Sequence, residues 1–462
     1  MPSCATPAMI VVTVLAGVTA FDSTSMVTVR QADNRPSFVS RSAPSVSRDG
    51  RFVAFASYAR LVDADTNDFL DVYVLDRVSG RVTVETQPSL DADAGRDNDR
   101  PRLSGDGRFL AYESSRQRTG PADVSPDWVI GLRDRQTASG RIISRDGRLP
   151  DGASRGAEVG ADGRVVVFSS SATNLVDGPD ANGAFEDVYT YDIGSGTITR
   201  VSVDSSGRQL AAGSSFAPSV SADGRYIAFT STAVFDTTRP ARSSSNRPLA
   251  EVYVRDTVLG TTTPVSASPD GGWPNGPSYD SAISANGKYV AFVSDAVNLV
   301  TRDRNGYPDI FVRDLERRTT ILVSRSVSGG SANGPSGHPE ISSDGEMVTF
   351  QSDASDLVCA ARCPAGRRDI NLVSDVFLFT RATKSVECIS RGRQTWMEPS
   401  VNPAIDGAGS VVAFSSRHPI DADDSRNDLD LFVWTRPSAA STRLTLPDVA
   451  GTRPLLAAVR HR

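Results

Sequence analysis

The stretch that decides the fold runs from Ser278 to Ser324 and reads SYDSAISANGKYVAFVSDAVNLVTRDRNGYPDIFVRDLERRTTILVS. Turn formers bound four runs of β-branched or aromatic residues, and each run predicts a strand. These runs are Ala282–Ser284, Tyr289–Ser294, Ile310–Arg313 and Thr320–Ser324. Asn286-Gly287 indicates a tight hairpin between the first two, because both residues accept a positive φ. The stretch therefore predicts a four-stranded antiparallel sheet that needs a neighbour to cover its apolar face.

The same unit occurs seven times in the chain. A motif of the type S-x-D-G-R-F-V-A-F begins at Ser45, Arg102, Glu158, Ser219, Ala282, Glu340 and Ala404. Its turn glycines, spaced 56 to 63 residues apart, are assigned as Gly50, Gly107, Gly163, Gly224, Gly287, Gly345 and Gly407. A second motif of the type D-V-Y-V-x-D follows at Asp71, Asp187, Glu251, Asp309, Asp375 and Asp430, with a weaker version from Trp128. The repeats predict an all-β fold, a seven-bladed β-propeller of four-stranded antiparallel blades.

Composition agrees with one globular domain and limits the classes of partner. The chain has 39% hydrophobic and 23% charged residues, which is close to the ordinary range. Its length alone would suggest several domains, but the repeat array favours a single propeller over residues 21–446. The net charge is only −6 and no basic stripe is visible, so we expect no nucleic-acid partner. We also expect a monomer without a transmembrane segment.

The first twenty residues resemble a secretory signal peptide. Residues 8–20 are nearly all apolar, and Val18-Thr19-Ala20 fits a small-residue cleavage site, although no Lys or Arg precedes the run. The alternative is an ordinary buried strand around Ile10–Val14. We expect export to the periplasm or the exterior, with cleavage near Ala20.

Two terminal segments compete to complete the last blade. Ser25–Arg30 resembles the fourth strand of the other units but precedes the first blade, and Ser441–Leu446 follows the seventh. Adding either strand to blade seven would close the ring and cover an exposed edge. Residues 447–462 are expected to form a tail.

The cysteines predict at most one disulfide in an exported protein. Cys359 and Cys363 lie close together in an insertion of blade six, and Cys388 lies on its fourth strand. Cys359–Cys363 is the nearest pair, and Cys388 is the alternative partner for either residue. No cluster of histidines accompanies them, so a metal site of this type is not expected.

Most repeated polar residues have a structural interpretation. The Asp of the S-x-D-G turn caps the hairpin, and the Gly takes the positive φ. The Asp that ends the third strand is expected to accept hydrogen bonds from the next turn. The aromatic residues after the first turn are expected in the core between blades: Phe55, Tyr112, Phe168, Phe229, Phe292, Phe350 and Phe414.

The loop between the second and third strands carries more acids and amides than folding requires in four of the blades. Its oxygen-bearing residues are Asp63, Asp65, Asn67 and Asp71 in blade one, Asp180, Asn182 and Asp187 in blade three, Asp303, Asn305 and Asp309 in blade five, and Asp423, Asn427 and Asp430 in blade seven. Alternating oxygen side chains on a glycine-containing turn can converge on Ca²⁺. The alternative is a capped solvent loop, and the terminal Glu of an EF-hand is absent. Calcium is the one cofactor that the sequence suggests.

The sequence favours a binding protein over an enzyme. Its three histidines, His338, His418 and His461, occur in unrelated places, and there is no G-x-S-x-G elbow and no P-loop. The leading hypothesis is a non-catalytic scaffold of the envelope or exterior that binds a protein or glycan through one face. The alternative is a carbohydrate-active enzyme, a hydrolase or lyase, with a carboxylate pair in the central channel.

The two motifs together resemble the WD-repeat-like propeller repeats of TolB-type proteins over roughly residues 45–436. The resemblance implies a propeller, usually exported in bacteria, that often serves as a binding platform for proteins or envelope components. TolB itself has six blades and an additional N-terminal α/β domain, and this chain departs from both features. The resemblance therefore concerns architecture, and the function of TolB is not carried over.

Overall fold

The computed structural model describes residues 10–16, 25–31, 42–86, 97–115, 128–144, 150–236, 249–358, 373–390, 398–417 and 429–436, the first two segments as strands only. Within these residues there is no helix, and the strands form seven antiparallel sheets. Six sheets have four strands and the seventh has five. The predicted seven-bladed β-propeller is confirmed.

In blades one to six the four strands pair in chain order as a simple antiparallel meander. The first strands are β3 (Ser45–Val46), β7 (Asn98–Leu103), β11 (Ser154–Val159), β15 (Ser215–Val220), β19 (Ser278–Ile283), β23 (Ser336–Ile341) and β27 (Ser400–Ile405). The second strands are β4 (Phe52–Ser57), β8 (Phe109–Ser115), β12 (Val165–Ser170), β16 (Tyr226–Ser231), β20 (Tyr289–Ser294), β24 (Met347–Ser352) and β28 (Val411–Ser416).

The outer half of each blade is formed by the second sequence motif and the strand that follows it. The third strands are β5 (Asp71–Asp76), β9 (Trp128–Asp134), β13 (Asp187–Asp192), β17 (Glu251–Asp256), β21 (Asp309–Asp314), β25 (Asp375–Thr380) and β29 (Asp430–Thr435). The fourth strands of blades one to six are β6 (Arg81–Val84), β10 (Ser139–Ile142), β14 (Ile198–Arg200), β18 (Thr261–Pro264), β22 (Thr319–Leu322) and β26 (Ser385–Cys388).

The first strands surround the central channel. Each contacts the first strand of the next blade, from β3 through β27 and back to β3, so these strands form an unbroken ring. The fourth strand of each blade therefore lies on the outside. Residues from all seven blades meet only at this axis, which makes the channel the place where distant parts of the chain can form one site.

The core lies between the blades, as the aromatic repeat predicts. In six blades the aromatic residue of the second strand stacks on an aromatic residue of the third, with ring centroids 5.6–6.1 Å apart. Phe55 and Tyr73, for example, pack in one cluster with Val411 and Val433 of blade seven. Burial of these large aromatic side chains supplies most of the stability of the propeller.

The S-x-D-G hairpin has the structural role that the sequence predicts. In blade one the Ser47 hydroxyl donates to Asp49 at 2.6 Å, and the Asp49 carboxylate accepts from the N–H of Arg51 at 3.0 Å. Gly50 adopts φ 71°. These local bonds give the Ser and Asp of the motif a structural role in the turn.

The turn glycine that the sequence predicts for blade seven is wrong. The glycine with positive φ in that turn is Gly409, at 69°, and not Gly407. Asp406 takes the place that Ser47 holds in blade one, and its carboxylate accepts from the N–H groups of Ser410 and Val411. The sequence D-G-A-G-S offers two glycines, and only the hydrogen bonds of the folded turn distinguish them.

Blade seven is completed by the N-terminal segment. β2 (Ser25–Gln31) pairs antiparallel with β29, which confirms the first of the two predicted closing strands. The other candidate, Ser441–Leu446, lies outside the described residues. β1 (Ile10–Ala16) pairs with β2 as a fifth strand, so this segment is a strand, as the alternative to a signal peptide predicts. Export and cleavage near Ala20 stay predictions.

Candidate functional site in the central channel

The channel wall is built from first strands, and six of the seven contain a bulge. In β19 the pairing with β20 shifts between Tyr279 and Ala282, so that Asp280 and Ser281 lie opposite a single residue. The same shift occurs in β7, β11, β15, β23 and β27. A bulge turns side chains away from the regular alternation of a strand, and bulges are frequent beside active sites.

One residue of each bulge adopts the left-handed conformation. Five of these residues are not glycine, and their φ angles lie between 48° and 55°. They are Arg100, Ala217, Asp280, His338 and Asn402, with Gly156 in blade three. This conformation costs a non-glycine residue roughly 1–2 kcal/mol. Strained residues of this kind cluster at functional sites, which makes the bulge ring the first place to look for one.

Charges from blades two, three and six meet in the channel. The guanidinium of Arg102 in β7 is ion-paired with Glu158 in β11, and both side chains are largely buried. Burial lowers the pKa of Arg102, but Glu158, Glu340 and Glu113 raise it further, so the net pKa is raised. The pKa of Glu340 in β23 is raised, first by burial and then by Glu158 and Asp280, while Arg102 lowers it. Two glutamates thus occupy different electrostatic environments around one arginine.

A second group of polar residues lies on blades five and six. The imidazole Nδ1 of His338 is 3.5 Å from Oδ2 of Asp280, and the backbone N–H of His338 donates to the same oxygen at 3.2 Å. Both side chains are solvent-exposed, at 55% and 42%. His338 and Asp280 are therefore accessible from the channel and already oriented toward each other.

Glu113 in β8 links blades two and three. Its carboxylate accepts from the backbone N–H of Gly156 at 2.7 Å and lies 3.8 Å from the guanidinium of Arg100. Burial raises the pKa of Glu113, and Gly156, Arg100 and Arg155 lower it. Gln351 of blade six makes the equivalent bond to the N–H of Asn402, at 3.0 Å. The side chain at this position therefore supports the backbone of the bulge in the next blade.

The hairpin end of the channel is lined by aliphatic side chains and by polar groups that include Arg48 and Asp406. It contains a cavity of about 150 Å³. Its wall includes one aliphatic residue from each blade: Val46, Leu103, Val159, Val220, Ile283, Ile341 and Ile405.

Sequence reasoning missed these channel residues, although a signal for them is present. The first position of the repeated motif is Ser or Ala in four blades and Arg102, Glu158 and Glu340 in the other three. Alignment of the repeats on one another would have singled out these charged departures. The sequence also predicts a first strand that begins at Ala282, whereas β19 begins at Ser278, so the bulge is not anticipated.

The predicted loop residues of blade one have partners within the protein. The Tyr73 hydroxyl donates to Asp65, and the N–H of Asn67 donates to the same carboxylate at 3.1 Å. Asp71 accepts from the amide of Asn67 at 2.8 Å and from the Thr86 hydroxyl at 2.7 Å. Asp63 is exposed. Protein donors thus satisfy the two buried acids of this loop.

In blade three an arginine lies between the predicted acids. Arg200 is 2.9 Å from Asp180 and 3.4 Å from Asp187. The Gln209 amide donates to Asp180, Asn182 and Asp187 at 2.9, 2.6 and 2.6 Å. The structure therefore brings the three predicted residues together, with a positive charge from the chain itself at their centre.

Blade five has two buried acids and no such cation. Asp303 is 5% exposed and Asp309 is fully buried. Asp309 accepts from the Ser324 hydroxyl at 2.5 Å and the Asn305 amide at 2.8 Å. Burial raises the pKa of Asp309 to about 7, and the negative charge of Asp303 contributes to the rise. In blade seven only Asp430 is described, and it is buried; Asp423 and Asn427 lie outside the described residues.

Other sequence predictions concern parts of the chain with little structural description. Cys359 and Cys363 lie outside the described residues, so the predicted disulfide stays a prediction, and Cys388 is buried. Among the described residues no three His, Cys, Asp or Glu side chains are grouped as a metal site. In the same part of the chain no helix is long and apolar enough to cross a membrane.

Comparisons with known proteins reveal similarity of fold only. No family model matches the chain, and no curated protein matches it. An oligogalacturonate lyase in complex with manganese has a TM-score of 0.55 and 13% identity, over 94% of this chain and 97% of that one. The β-propeller domain of the trilobed protease of Pyrococcus furiosus has a TM-score of 0.50 and 12% identity, over 91% and 100%.

A TolB structure is also among the matches. The putative TolB of Agrobacterium tumefaciens has 17% identity, over 65% of this chain and 87% of that one, but its TM-score of 0.38 is too low to support an argument. At these identities the neighbours share an architecture, and architecture is compatible with many functions. What the comparisons establish about this chain is that it has the fold of a β-propeller.

Proposed function

We propose that this protein is an exported, non-catalytic binding scaffold that holds a glycan in the mouth of its central channel. One observation carries the proposal: charged and strained residues of four different blades converge at the bulge ring, where packing requires neither charge nor strain. Arg100, Asp280 and His338 all have side chains more than two-fifths exposed there. Ligand sites commonly place a few oriented polar groups in a concave surface of this kind.

The polar groups of the ring favour a glycan that carries carboxylates. Hydroxyl groups of a sugar can donate to Asp280 and accept from His338. Arg100 and Arg155 lie on neighbouring first strands, and both lower the pKa of the same Glu113, so their positive charges act on one region of the channel wall. Arginine binds carboxylates through two parallel hydrogen bonds. The name of one structural neighbour, oligogalacturonate lyase, indicates galacturonate oligomers as the first ligands to test.

Titration calorimetry with a panel of neutral and uronic-acid oligosaccharides tests this proposal. We expect uronate oligomers to bind and the double variant Arg100→Ala/Arg155→Ala to lose at least tenfold in affinity, because two charge-assisted contacts disappear. Arg81→Ala serves as the control, since Arg81 is exposed on the outer strand β6. Equal affinity in the double variant and the control, or no binding to any glycan of the panel, would count against the proposal.

A second candidate function, a carbohydrate-active enzyme, is favoured by the pair Glu158 and Glu340. Glu158 is ion-paired with Arg102, whereas the environment of Glu340 raises the pKa of Glu340. Two carboxyl groups with opposite proton preferences are the usual arrangement of a general acid beside an ionised partner. In this role Glu340 would donate a proton to the leaving oxygen, and Glu158 would act as the charged member.

Turnover assays separate the two candidates. The same oligosaccharides are incubated with the protein, with and without added manganese, and the release of reducing ends or unsaturated products is followed. An enzyme predicts turnover that Glu340→Gln abolishes while ligand affinity is retained. Binding without turnover in both metal conditions supports the scaffold.

A further inference from the structure

Three blades share an acidic arrangement at the start of the third strand. An aspartate, Asp71, Asp187 or Asp309, accepts from a hydroxyl that follows the fourth strand, at 2.5–2.7 Å. The loop between strands two and three adds a second, largely buried aspartate, which is Asp65, Asp180 or Asp303. Two negative charges removed from water in this way are costly unless they are compensated.

The protein compensates the two charges differently in each blade. Blade three uses the guanidinium of Arg200 together with the amide of Gln209. Blade one has no arginine at the equivalent position; its second acid, Asp65, accepts from the hydroxyl of Tyr73. In both blades the carboxylate oxygens of the loop aspartate are therefore satisfied by groups of the chain itself.

Blade five lacks all of these compensating groups. In blade five Leu322 pairs with Phe311, and in blade three Arg200 pairs with Tyr189 at the same place in the sheet. Leu322 therefore occupies the position of Arg200. The isolated bridges likewise place Ser331 where blade three has Gln209. Phe311 has no hydroxyl to replace that of Tyr73. In blade five the chain therefore supplies neither a positively charged side chain nor a hydrogen-bond donor on a long side chain, such as the glutamine of blade three, to this pair of acids.

The consequence is visible at Asp303. Both of its carboxylate oxygens are buried, and within the described residues neither has a hydrogen-bond partner at normal geometry. The groups that act on it, besides burial, are the Asn305 N–H, the Ser331 hydroxyl and Asp309, with no arginine or lysine among them. An unpartnered buried carboxylate that faces a second carboxylate indicates that a ligand is missing.

We propose that blade five binds a calcium ion between the carboxylates of Asp303 and Asp309, where the ion takes the place of the Arg200 guanidinium in blade three. The Ser331 hydroxyl is a third oxygen beside the pair. Asn305 supports the site and is not a ligand, because its amide nitrogen faces Asp309 and its amide oxygen accepts from the Tyr307 N–H. All donors are oxygens, as calcium requires, and backbone carbonyls and water complete the shell.

The affinity is expected to be modest. Two carboxylates are fewer than tight calcium sites provide, so the dissociation constant should lie on the order of 10⁻⁴ to 10⁻³ M, as in extracellular modules. An ion that binds only the folded state raises the melting temperature once its concentration exceeds that constant. At ten millimolar calcium chloride we expect a rise of about 2–4 °C over chelator-treated protein.

Melting curves of the full chain with calcium chloride, with chelator, and with sodium chloride of equal ionic strength test the proposal. We expect Asp303→Asn to melt at the same temperature in all three conditions. The double variant Leu322→Arg/Ser331→Gln introduces the arginine and the glutamine that blade three has at these positions. We expect this variant to be insensitive to calcium as well. Asp180→Asn, at the matching loop position of blade three, should keep the full calcium response.

The outcomes separate calcium from the rival explanation, a proton shared by the two acids. If the wild-type protein has the same melting temperature in calcium and in chelator, the calcium proposal is overturned and the shared proton is the better explanation. A calcium response that persists in Asp303→Asn would overturn it in favour of another site. Calorimetric titration of chelator-treated protein with calcium chloride should give one site in the wild type and none in Asp303→Asn, which keeps the test decisive even if the double variant does not fold.

Discussion

Individual residues of the bulge ring hold a conformation that side chains rarely adopt. Asp280, His338 and Asn402 belong to the residue types that tolerate it best, because their short polar side chains bond locally. Ala217 has no such compensation and is exposed in the bulge of β15 at φ 48°. The free energy that the strained backbone of the bulge costs can therefore be measured most directly at Ala217.

Ala217→Gly is expected to stabilise the protein by about 0.5–1 kcal/mol, since glycine adopts positive φ without steric conflict. Ala282→Gly, in the regular part of β19, should instead destabilise it, because Ala282 is buried and glycine is more flexible in the unfolded chain. Urea titrations of both variants give the comparison. A destabilised Ala217→Gly would show that the bulge carries no strain at this blade.

Surface ion pairs at the ends of the third strands set the response to acid. Arg51 contacts Asp76 through Nε at 3.1 Å and through a terminal nitrogen at 2.7 Å, and this bond with Arg51 lowers the pKa of Asp76 to about 2. Arg108 has the same effect on Asp134. A lowered pKa contributes stability that is present above the ordinary aspartate range and is lost as pH falls toward 2.

The double variant Asp76→Asn/Asp134→Asn should therefore lose less stability than the wild type between about pH 4 and pH 2. Melting temperatures across this range provide the measurement. Asp68→Asn is the control, because the Asp68 side chain is 92% exposed, and it should follow the wild-type curve. Parallel curves for all three proteins would mean that these pairs do not govern acid sensitivity.

At the scale of the element, blade two shows how the aromatic pair of the other repeats can be replaced. The third strand of blade two has Gly131 where blade one has Tyr73, and the ring of Tyr112 covers it. A Cβ at Gly131 would lie 2.4 Å from the Tyr112 ring. The stacked aromatic pair of the other blades is thus replaced by one aromatic residue packed on a glycine.

Gly131→Ala is expected to destabilise the protein by about 1–3 kcal/mol through overpacking. Gly337→Ala is the matched control, because Gly337 also lies in a strand but a Cβ added there would have no other atom within 4 Å. That variant should change stability by less than about 0.5 kcal/mol. Denaturant midpoints decide the case, and equal midpoints for the two variants would contradict the packing argument.

At the scale of the whole molecule, the ring is held shut by contacts between the two ends of the chain. β2 pairs with β29, and blade seven packs on blade one through Val411, Leu431 and their neighbours. Without β2 the edge of β29 would be open to pairing with other chains. The predicted cleavage near Ala20 would remove β1 and leave this closure in place.

A chain that begins at residue 21 should accordingly melt at the same temperature as the full chain, whereas one that begins at residue 32 should melt several degrees lower and self-associate. Calorimetry and size-exclusion chromatography compare the two. Mass spectrometry of the native protein tests export, since the mature N-terminus is expected directly after Ala20. An intact N-terminus in a cytosolic fraction, or equal stability of both truncated chains, would refute the respective prediction.

The channel charges also act at this scale, because they come from separate blades. A raised pKa of Glu340 means that its contribution to stability is present in acid and is lost as pH rises above the ordinary glutamate range. Glu340→Gln should therefore gain stability relative to the wild type at alkaline pH and match it below about pH 4. Melting temperatures at several pH values test this, and a pH-independent difference would contradict it.

The sequence by itself determined the number of blades, most strand positions and the hairpin chemistry, because these depend on bonds between residues a few positions apart. The turn of Ser47 to Gly50 is an example. It also pointed to the acidic loops, including Asp303 and Asp309. Only the tertiary structure decided which polar residues meet: Arg102, Glu158 and Glu340 belong to three blades and come together because the ring closes. The tertiary structure also decided whether an acidic pair needs a bound cation. That depends on the residue of the fourth strand beside the pair, Arg200 in blade three and Leu322 in blade five, and these residues are not part of the loop sequence.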